Sequence, residues 1–320
     1  MENTTRLLQR HQPTLASRQV LIVDANDAAL RHVSPGRVVL HTDLASVPAD
    51  QFQAVPSVPP GTDLLIVILP KSRERLDFLL AALAGELAAP LECWLVGPGK
   101  GGIRGALKQF RQAAGEPVLL DSARHCRLYQ GVLAPAAPLA LANFERCWRQ
   151  DGLQICSLPG VFSHGRTDDG TALLMEELAA QPVTGAVLEV GCGAGVLTAM
   201  LAAGGARVTA VDVSATAVLA TRRTLAANAL EAQVTGSDLY QQVSGRFDAI
   251  CTNPPFHDGI ARTIETTRML IQGARARLVT GGELVLVANH GLPYGEILAD
   301  SFAQVTVARE NNRFRVWRCR

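Results

Sequence analysis

Val187-Leu-Glu-Val-Gly-Cys-Gly-Ala-Gly195 decides how this chain is read. An apolar, β-branched run ends at Val190, glycines follow at alternate positions, and Val196–Ala203 resumes as an apolar helical stretch. Strand, glycine turn and helix in that order form a ligand cradle. Glycine tolerates left-handed backbone and lets the main chain approach a ligand closely, and the helix start behind it offers unpaired N–H groups. A lone G-x-G-x-G fits a nicotinamide-dinucleotide turn as well, so an NAD-dependent oxidoreductase stays open at this point. Glu189, inside the strand, tilts the reading: a carboxylate suits a cationic or amino-bearing ligand better than a pyrophosphate.

Asp212 ends the next strand-like run, Arg207-Val-Thr-Ala-Val211, about twenty residues on, where a carboxylate can accept from both ribose hydroxyls or simply cap the following helix. Ser237-Asp238-Leu239 follows a third run. There Asp238 can accept from an adenine amino group while Leu239 packs on the ring, the plain alternative being a loop aspartate. The candidate cofactor positions are Glu189, Gly191, Cys192, Gly193, Gly195, Asp212, Val213, Asp238 and Leu239.

Outward from this motif the pattern repeats. Short apolar runs at Val20–Val23, Val38–Leu40, Leu64–Leu69, Cys93–Val96, Val208–Val211, Ala249–Thr252 and Leu284–Ala288 alternate with helical stretches such as Arg75–Leu87 and Ala215–Ala227. Continuous apolar strands between helices predict a mostly parallel, doubly wound α/β sheet with helices on both faces. The 320 residues, 48% of them hydrophobic, suffice for two such units. Leu133-Ala-Pro-Ala-Ala-Pro-Leu139 reads as a linker, giving domains 1–134 and 135–320.

The two halves read as diverged copies. Arg18–Asp24 resembles Gly185–Gly191, Asp63–Pro70 resembles Asp248–Pro255, Glu92–Val96 resembles Glu283–Val287, and His125–Tyr129 resembles Arg313–Trp317, in the same order. Where the second copy has its glycines, the first has Asp24-Ala-Asn-Asp-Ala28. The first copy therefore keeps the scaffold without the chemistry.

A formal net charge of +1 excludes a strong indiscriminate grip on nucleic acid but allows a local basic face. None of the seven cysteines forms a C-x-x-C pair, so no structural zinc is expected, and the thiols read as buried and reduced, in keeping with a cytoplasmic protein. No secretory h-region opens the chain, and no apolar run reaches the ~20 residues of a membrane span.

Asp248-Ala-Ile-Cys-Thr-Asn-Pro-Pro-Phe256 is the most specific signal. An apolar strand ends at Asn253, and two prolines fix the backbone beyond it. An exocyclic amino group on a ring has a delocalised lone pair. The Asn253 side-chain oxygen and the Pro254 carbonyl can hold its two hydrogens, and Phe256 can stack on the ring. A methyl group on a sulfonium brings its own leaving group, so the protein's task is positioning. His257 follows and reads as a loop histidine unless a partner is placed beside it.

These stretches, with Leu158-Pro-Gly-Val-Phe-Ser163, Thr224-Leu-Ala-Ala-Asn228, Asn253-Pro-Pro-Phe-His-Asp-Gly259, Asp121-Ser-Ala-Arg124 and Asn312-Arg-Phe-Arg-Val316, resemble the RsmC-type methyltransferases over nearly the whole chain. The resemblance implies two tandem Rossmann-like methyltransferase domains, the first no longer binding cofactor. It implies methyl transfer from S-adenosylmethionine to N2 of a guanine in small-subunit (16S) ribosomal RNA. It implies that Asp168-Asp-Gly-Thr171 lies near the methionine moiety, so Asp168 and Asn253 join the cofactor candidates, and that Asn253, Pro254 and Phe256 hold the guanine.

RNA contacts are expected from Arg104, Lys108 and Arg111, at helical i, i+4, i+7 spacing, with Lys100 nearby, and from Arg313 and Arg315 near the C-terminus. The expected partner is ribosomal RNA in an assembled or assembling 30S subunit, bound by a monomer. A release-factor glutamine methyltransferase, a DNA adenine methyltransferase and a non-catalytic assembly factor remain alternatives. Tyr is more usual after the prolines in the first of these, and an α/β first half does not suit it.

Overall fold

The computed structural model describes residues 1–100, 102–254, 260–291 and 293–320. The chain forms two compact units, Met1–Glu145 and Arg146–Arg320.

In the first unit, the strands are β1 (Val20–Val23), β2 (Val38–Thr42), β3 (Gln51–Phe52), β4 (Leu64–Ile68), β5 (Leu91–Pro98), β6 (Val118–Ala123) and β7 (Cys126–Leu133). The helices are α1 (Asn3–Gln9), α2 (Gln12–Leu15), α3 (Arg73–Ala84) and α4 (Ile103–Ala114). The sheet order is β3-β2-β1-β4-β5-β7-β6, parallel except where β7 meets β5 and β6. β1 and β4 are buried along their whole length because helices cover both faces. Each fully buried Leu or Ile there contributes on the order of 1.5–3 kcal/mol.

The second unit opens with a two-stranded hairpin, β8 (Arg146–Gln150) and β9 (Leu153–Ser157). Its main sheet comprises β10 (Ala186–Val190), β11 (Arg207–Asp212), β12 (Gln233–Gly236), β13 (Phe247–Thr252), β14 (Leu278–Asn289), β15 (Val305–Glu310) and β16 (Phe314–Cys319). Helices α5 (Asp169–Ala180), α6 (Val196–Ala203), α7 (Ala215–Ala227), α8 (Ile260–Arg277) and α9 (Tyr294–Ala299) accompany it. The order β12-β11-β10-β13-β14-β16-β15 repeats that of the first unit strand for strand. All four sequence pairings fall on matching strands: β1 with β10, β4 with β13, β5 with β14, and β7 with β16.

The division falls after Glu145 rather than in the proline run. The expected linker is strapped to the first unit: Ala136 N–H donates to the Ala84 carbonyl at 2.9 Å. Leu139, Leu141 and Phe144 pack on the first unit's core, Phe144 meeting Phe78 edge-on at 5.5 Å. One thiol also departs from expectation. Cys147 is exposed on the β8–β9 ribbon, opposite buried Cys156 with the sulfurs 2.6 Å apart. Among the described residues no helix is long and apolar enough to cross a membrane.

Candidate active site

The order of the second sheet reverses between β10 and β13, which run parallel with Val190 beside Thr252. Such a switch point opens a crevice at the carboxyl ends of the strands. Gly191 leaves β10 and Asn253 leaves β13 at this place, so the two sequence motifs meet there.

The glycine turn is built as read. Gly191, Gly193 and Gly195 have φ of +83°, +55° and +78°, a region that side chains with a Cβ resist. A Cβ on Gly195 would press Thr221 at 3.0 Å, whereas one on Gly193 would meet nothing within 4 Å. Gly195 is thus small for packing, and Gly193 faces open space. Gly191 and Cys192 both donate to the Val211 carbonyl (2.8 and 3.1 Å), which pins the turn to β11.

Asp212 grips the turn from the other side. Its Oδ2 accepts from Gly193 N–H and its Oδ1 from Ser214 N–H, each at 2.9 Å. Helix α7 is capped by Ser214, whose Oγ accepts from Ala217 N–H at 3.1 Å, so Asp212 is not the cap. Val213 and Asp238 are half-buried beside it. Leu239 is held at φ +48° with its carbonyl accepting from Ser237 Oγ, and it packs partly on the core.

Glu189 is buried and accepts from Thr198 Oγ1. Burial pushes its carboxyl up to about 8, the Thr198 bond opposes this, and nearby Asp212 adds to it. A cation would reverse that cost. Burial, then Asp212 and Glu189, pushes the Cys192 thiol well up, and Thr221 Oγ1 donates to its sulfur at 3.3 Å. Cys192 therefore sits in the turn as an inert small side chain.

At the end of β13, Thr252 Oγ1 donates to the Val190 carbonyl at 2.7 Å and ties the two motif strands together. Asn253 Nδ2 donates to Asp168 Oδ2 (3.1 Å) and Thr171 Oγ1 (2.9 Å). Asn253 Oδ1 is buried and has no partner among the described residues. A buried acceptor left bare costs about 1–3 kcal/mol, so this atom marks where a donor belongs. Pro254 is buried next to it. Pro255, Phe256 and His257 lie outside the described residues. Asp168 lies beside Asn253 and is also the cap of α5, its Oδ2 accepting from Gly170 and Thr171 N–H at 2.9 and 3.2 Å.

The first unit fills the matching place with protein. The guanidinium of Arg75, from α3, lies 3.3 Å from Asp24, 3.5 Å from Asp43 and 3.2 Å from the Ala54 carbonyl. These residues follow β1, β2 and β3, as Gly191, Val213 and Asp238 follow β10, β11 and β12. Arg75 is buried and stacks on Phe78 at 5.3 Å. His41 Nδ1 accepts from Asp24 N–H at 3.2 Å, and its Nε2–H donates to the Gln53 carbonyl at 2.8 Å.

The basic candidates divide into two kinds. Lys100, Arg104, Lys108 and Arg111 are exposed, on or beside α4, whose opposite face buries Ile103, Ala106, Phe110 and Ala114. Of these four, Arg111 pairs with Glu116 at 2.6 Å. The C-terminal arginines are engaged: Arg313 with Asp169 (2.9 Å), Arg315 with Glu310 (2.8 Å) and Arg318 with Glu177 and Glu283 (2.9 and 2.8 Å).

Sequence reading missed Thr198, Thr221 and Arg75, and named Thr171 and Thr224 only as parts of longer stretches. Thr221 and Thr224 stand one helical turn apart, and Thr224 Oγ1 donates to the Ala194 carbonyl in the glycine turn at 2.7 Å. Their i, i+3 spacing among the buried positions of α7 was the available signal. Nothing local marks Arg75, because its partners lie on three separate loops.

The family model described as Methyltransferase small domain matches residues 152–318, and Methyltransferase small domain N-terminal matches 5–147. Fold and site define an S-adenosylmethionine-dependent methyltransferase with a duplicated Rossmann-like architecture. The chain belongs to the family of ribosomal RNA small subunit methyltransferase C. It is 49% identical over 321 residues to that protein of Alcanivorax borkumensis, covering 99% of each chain. It is 47% identical over 263 residues to that of Pseudomonas entomophila, covering 80% of this chain and 78% of the relative. A solved structure, the T. thermophilus 16S rRNA N2 G1207 methyltransferase (RsmC) in complex with AdoMet and guanosine, matches with a TM-score of 0.85 at 26% identity. That match covers 99% of this chain and 91% of the other.

Proposed function

We propose that the second unit transfers the methyl group of S-adenosylmethionine to the exocyclic N2 of one guanine in 16S ribosomal RNA. The observation that carries this is the buried Asn253 Oδ1, which has no partner among the described residues, one strand away from a glycine turn where a Cβ on Gly193 would meet none of those residues within 4 Å. A guanine N2 amino group supplies the missing donor. The same crevice suits the cofactor: open backbone at Gly193, ribose acceptors at Asp212, and a buried acid at Glu189 for a positively charged ligand.

When bound, S-adenosylmethionine supplies a methyl group on a sulfonium that departs as a neutral thioether. Asn253 Oδ1 and the Pro254 carbonyl hold the two N2 hydrogens and turn the nitrogen lone pair toward the crevice. Positioning of this kind supplies much of the rate. The methylated nitrogen sheds its proton easily, so no strong base is required before attack. Phe256 covers the base face in this reading.

The first unit binds no cofactor, because Arg75 occupies that space and Asp24 replaces the first glycine. Its role is to support the chain and to dock RNA through Lys100, Arg104, Lys108 and Arg111, with Arg313 and Arg315 secondary because acids already engage them. A chain of near-zero net charge recognises structured RNA locally rather than by a broad field, which favours a folded 30S target. The protein acts as a monomer in the cytoplasm.

The test is methyl transfer from tritiated S-adenosylmethionine by the purified protein, offered 30S subunits, free 16S RNA, release factor or DNA. Label in N2-methylguanine of the RNA is expected. Label only in factor or DNA would sink the reading.

A further inference from the structure

We propose that Asp168 is a positioning residue that sets the polarity of the Asn253 amide, and thereby the preference for a base bearing an exocyclic amino group. The inference rests on the guanine-N2 reading above and deepens it.

An asparagine amide has a donor limb and an acceptor limb of nearly equal size, so shape alone does not choose which faces the substrate. At Asn253 the choice is made by its neighbours. An ionised carboxylate can only accept, and Asp168 Oδ2 already takes Gly170 and Thr171 N–H along with Asn253 Nδ2. Turning the amide over would set Asn253 Oδ1 against that oxygen, acceptor to acceptor. Thr171 Oγ1, at 2.9 Å, does not discriminate, since a hydroxyl can accept from Nδ2 or donate to Oδ1. With both Nδ2 hydrogens taken, Oδ1 is the limb left buried with no partner among the described residues.

The arrangement also explains why a helix cap sits 85 residues from the motif it touches. The cap holds Asp168 rigid through two backbone bonds, so the carboxylate acts as a fixed key. A pocket presenting Oδ1 accepts from the guanine amino group, while a pocket presenting NH2 would face it donor to donor. Asp168 thus acts on base selection through Asn253, in place of the methionine contact that family resemblance implied for it.

The experiment is calorimetric titration of guanosine and of inosine, which lacks the amino group, into the cofactor-loaded full chain. It is run on wild type, D168N, D168S and T171V. Asn and Ser both cap helices well, so α5 should start normally in either Asp168 variant. Wild type should favour guanosine by about tenfold, the scale of one buried hydrogen bond. That ratio should fall toward unity in D168S, whose shorter hydroxyl caps α5 without reaching Asn253, with S-adenosylmethionine affinity within about twofold of wild type; it should persist in T171V and in D168N, whose capping amide oxygen still accepts from Asn253 Nδ2. Retention of the ratio in D168S, or its loss in D168N, overturns the proposal while leaving the guanine reading standing. Loss of cofactor binding in both Asp168 variants overturns it as well, by making the carboxylate part of the cofactor cradle. If wild type itself does not distinguish the two nucleosides, the guanine reading falls and the positioning role with it.

Discussion

At the end of the first strand of its seven-stranded sheet, each unit meets the same electrostatic problem and answers it differently. The second unit carries Gly191, Gly193 and Gly195, with Glu189 and Asp212 close by and open space above Gly193. The first carries Asp24 at φ +59°, Asp43 beyond the second strand, and the guanidinium of Arg75 between them. Both places gather acids at the carboxyl ends of parallel strands. One leaves them for a cation from outside, while the other supplies the cation from its own helix α3. On the proposed reading, a buried side chain in the first unit takes over the charge that a ligand brings to the second. The same sheet order in both units shows that one architecture accommodates both arrangements.

The hardest blow to this comparison would be Arg75→Met. Removing one partner of a buried ion pair typically costs about 3–5 kcal/mol, so chemical denaturation of this variant should show that loss in the first unit. Cofactor titration should still give one equivalent, because Asp24 at a glycine place narrows the turn even without the arginine. A second equivalent would mean that Arg75 alone separates the two units. Next comes Asn253→Ala, which removes the acceptor from the second unit only. The kcat for methyl transfer to 30S subunits should drop about 100- to 1000-fold, the range seen when one placed polar group is lost. Unchanged methylation in that variant would end the proposed mechanism.

Smaller effects sharpen the picture. Replacing Arg104, Lys108 and Arg111 together by alanine should weaken 30S binding and flatten its salt dependence by about three units of slope. Transfer to free guanosine should survive. RNA affinity equal to wild type at every salt concentration would dismiss α4 as a docking face. Smallest is a difference in pH response, at most about 1.4 kcal/mol per pH unit for one proton. Burial raises the Glu189 carboxyl from 4.5 to about 8, so its share of second-unit stability is whole below 4.5 and drains as pH rises through 8. Burial, then the Arg75 charge, lowers His41 from 6.5 to about 4, so its share of first-unit stability is whole above 6.5 and is lost as pH falls through 4. Hydrogen exchange at several pH values should resolve the opposed trends, and Glu189→Gln should flatten that of the second unit. Parallel slopes in both units would contradict the assignment.

Much of this was written locally. Strand runs such as Leu64–Ile68 betray themselves because burial on both faces leaves no room for polar residues. Gly193 and Asn253 betray themselves because open backbone and a rigid elbow need particular residue types. The proline run misled for the complementary reason. Pro135 and Pro138 are compatible with an extended linker or with a strap, and only the Ala136–Ala84 bond and the Phe144–Phe78 contact distinguish them.

Sequence alone thus determined the four inner parallel strands of each sheet, the duplication, and the residues whose chemistry is intrinsic to their type. Tertiary structure decided what depends on meeting at a distance: Arg75 reaching Asp24 and Asp43, Thr224 reaching Ala194, Asp168 setting the amide of Asn253, and acids engaging the C-terminal arginines. Periodicity reports how a residue relates to its neighbours along the chain. The polarity of a site is set by groups that the fold brings within about 3 Å from far apart, and no local pattern encodes that distance.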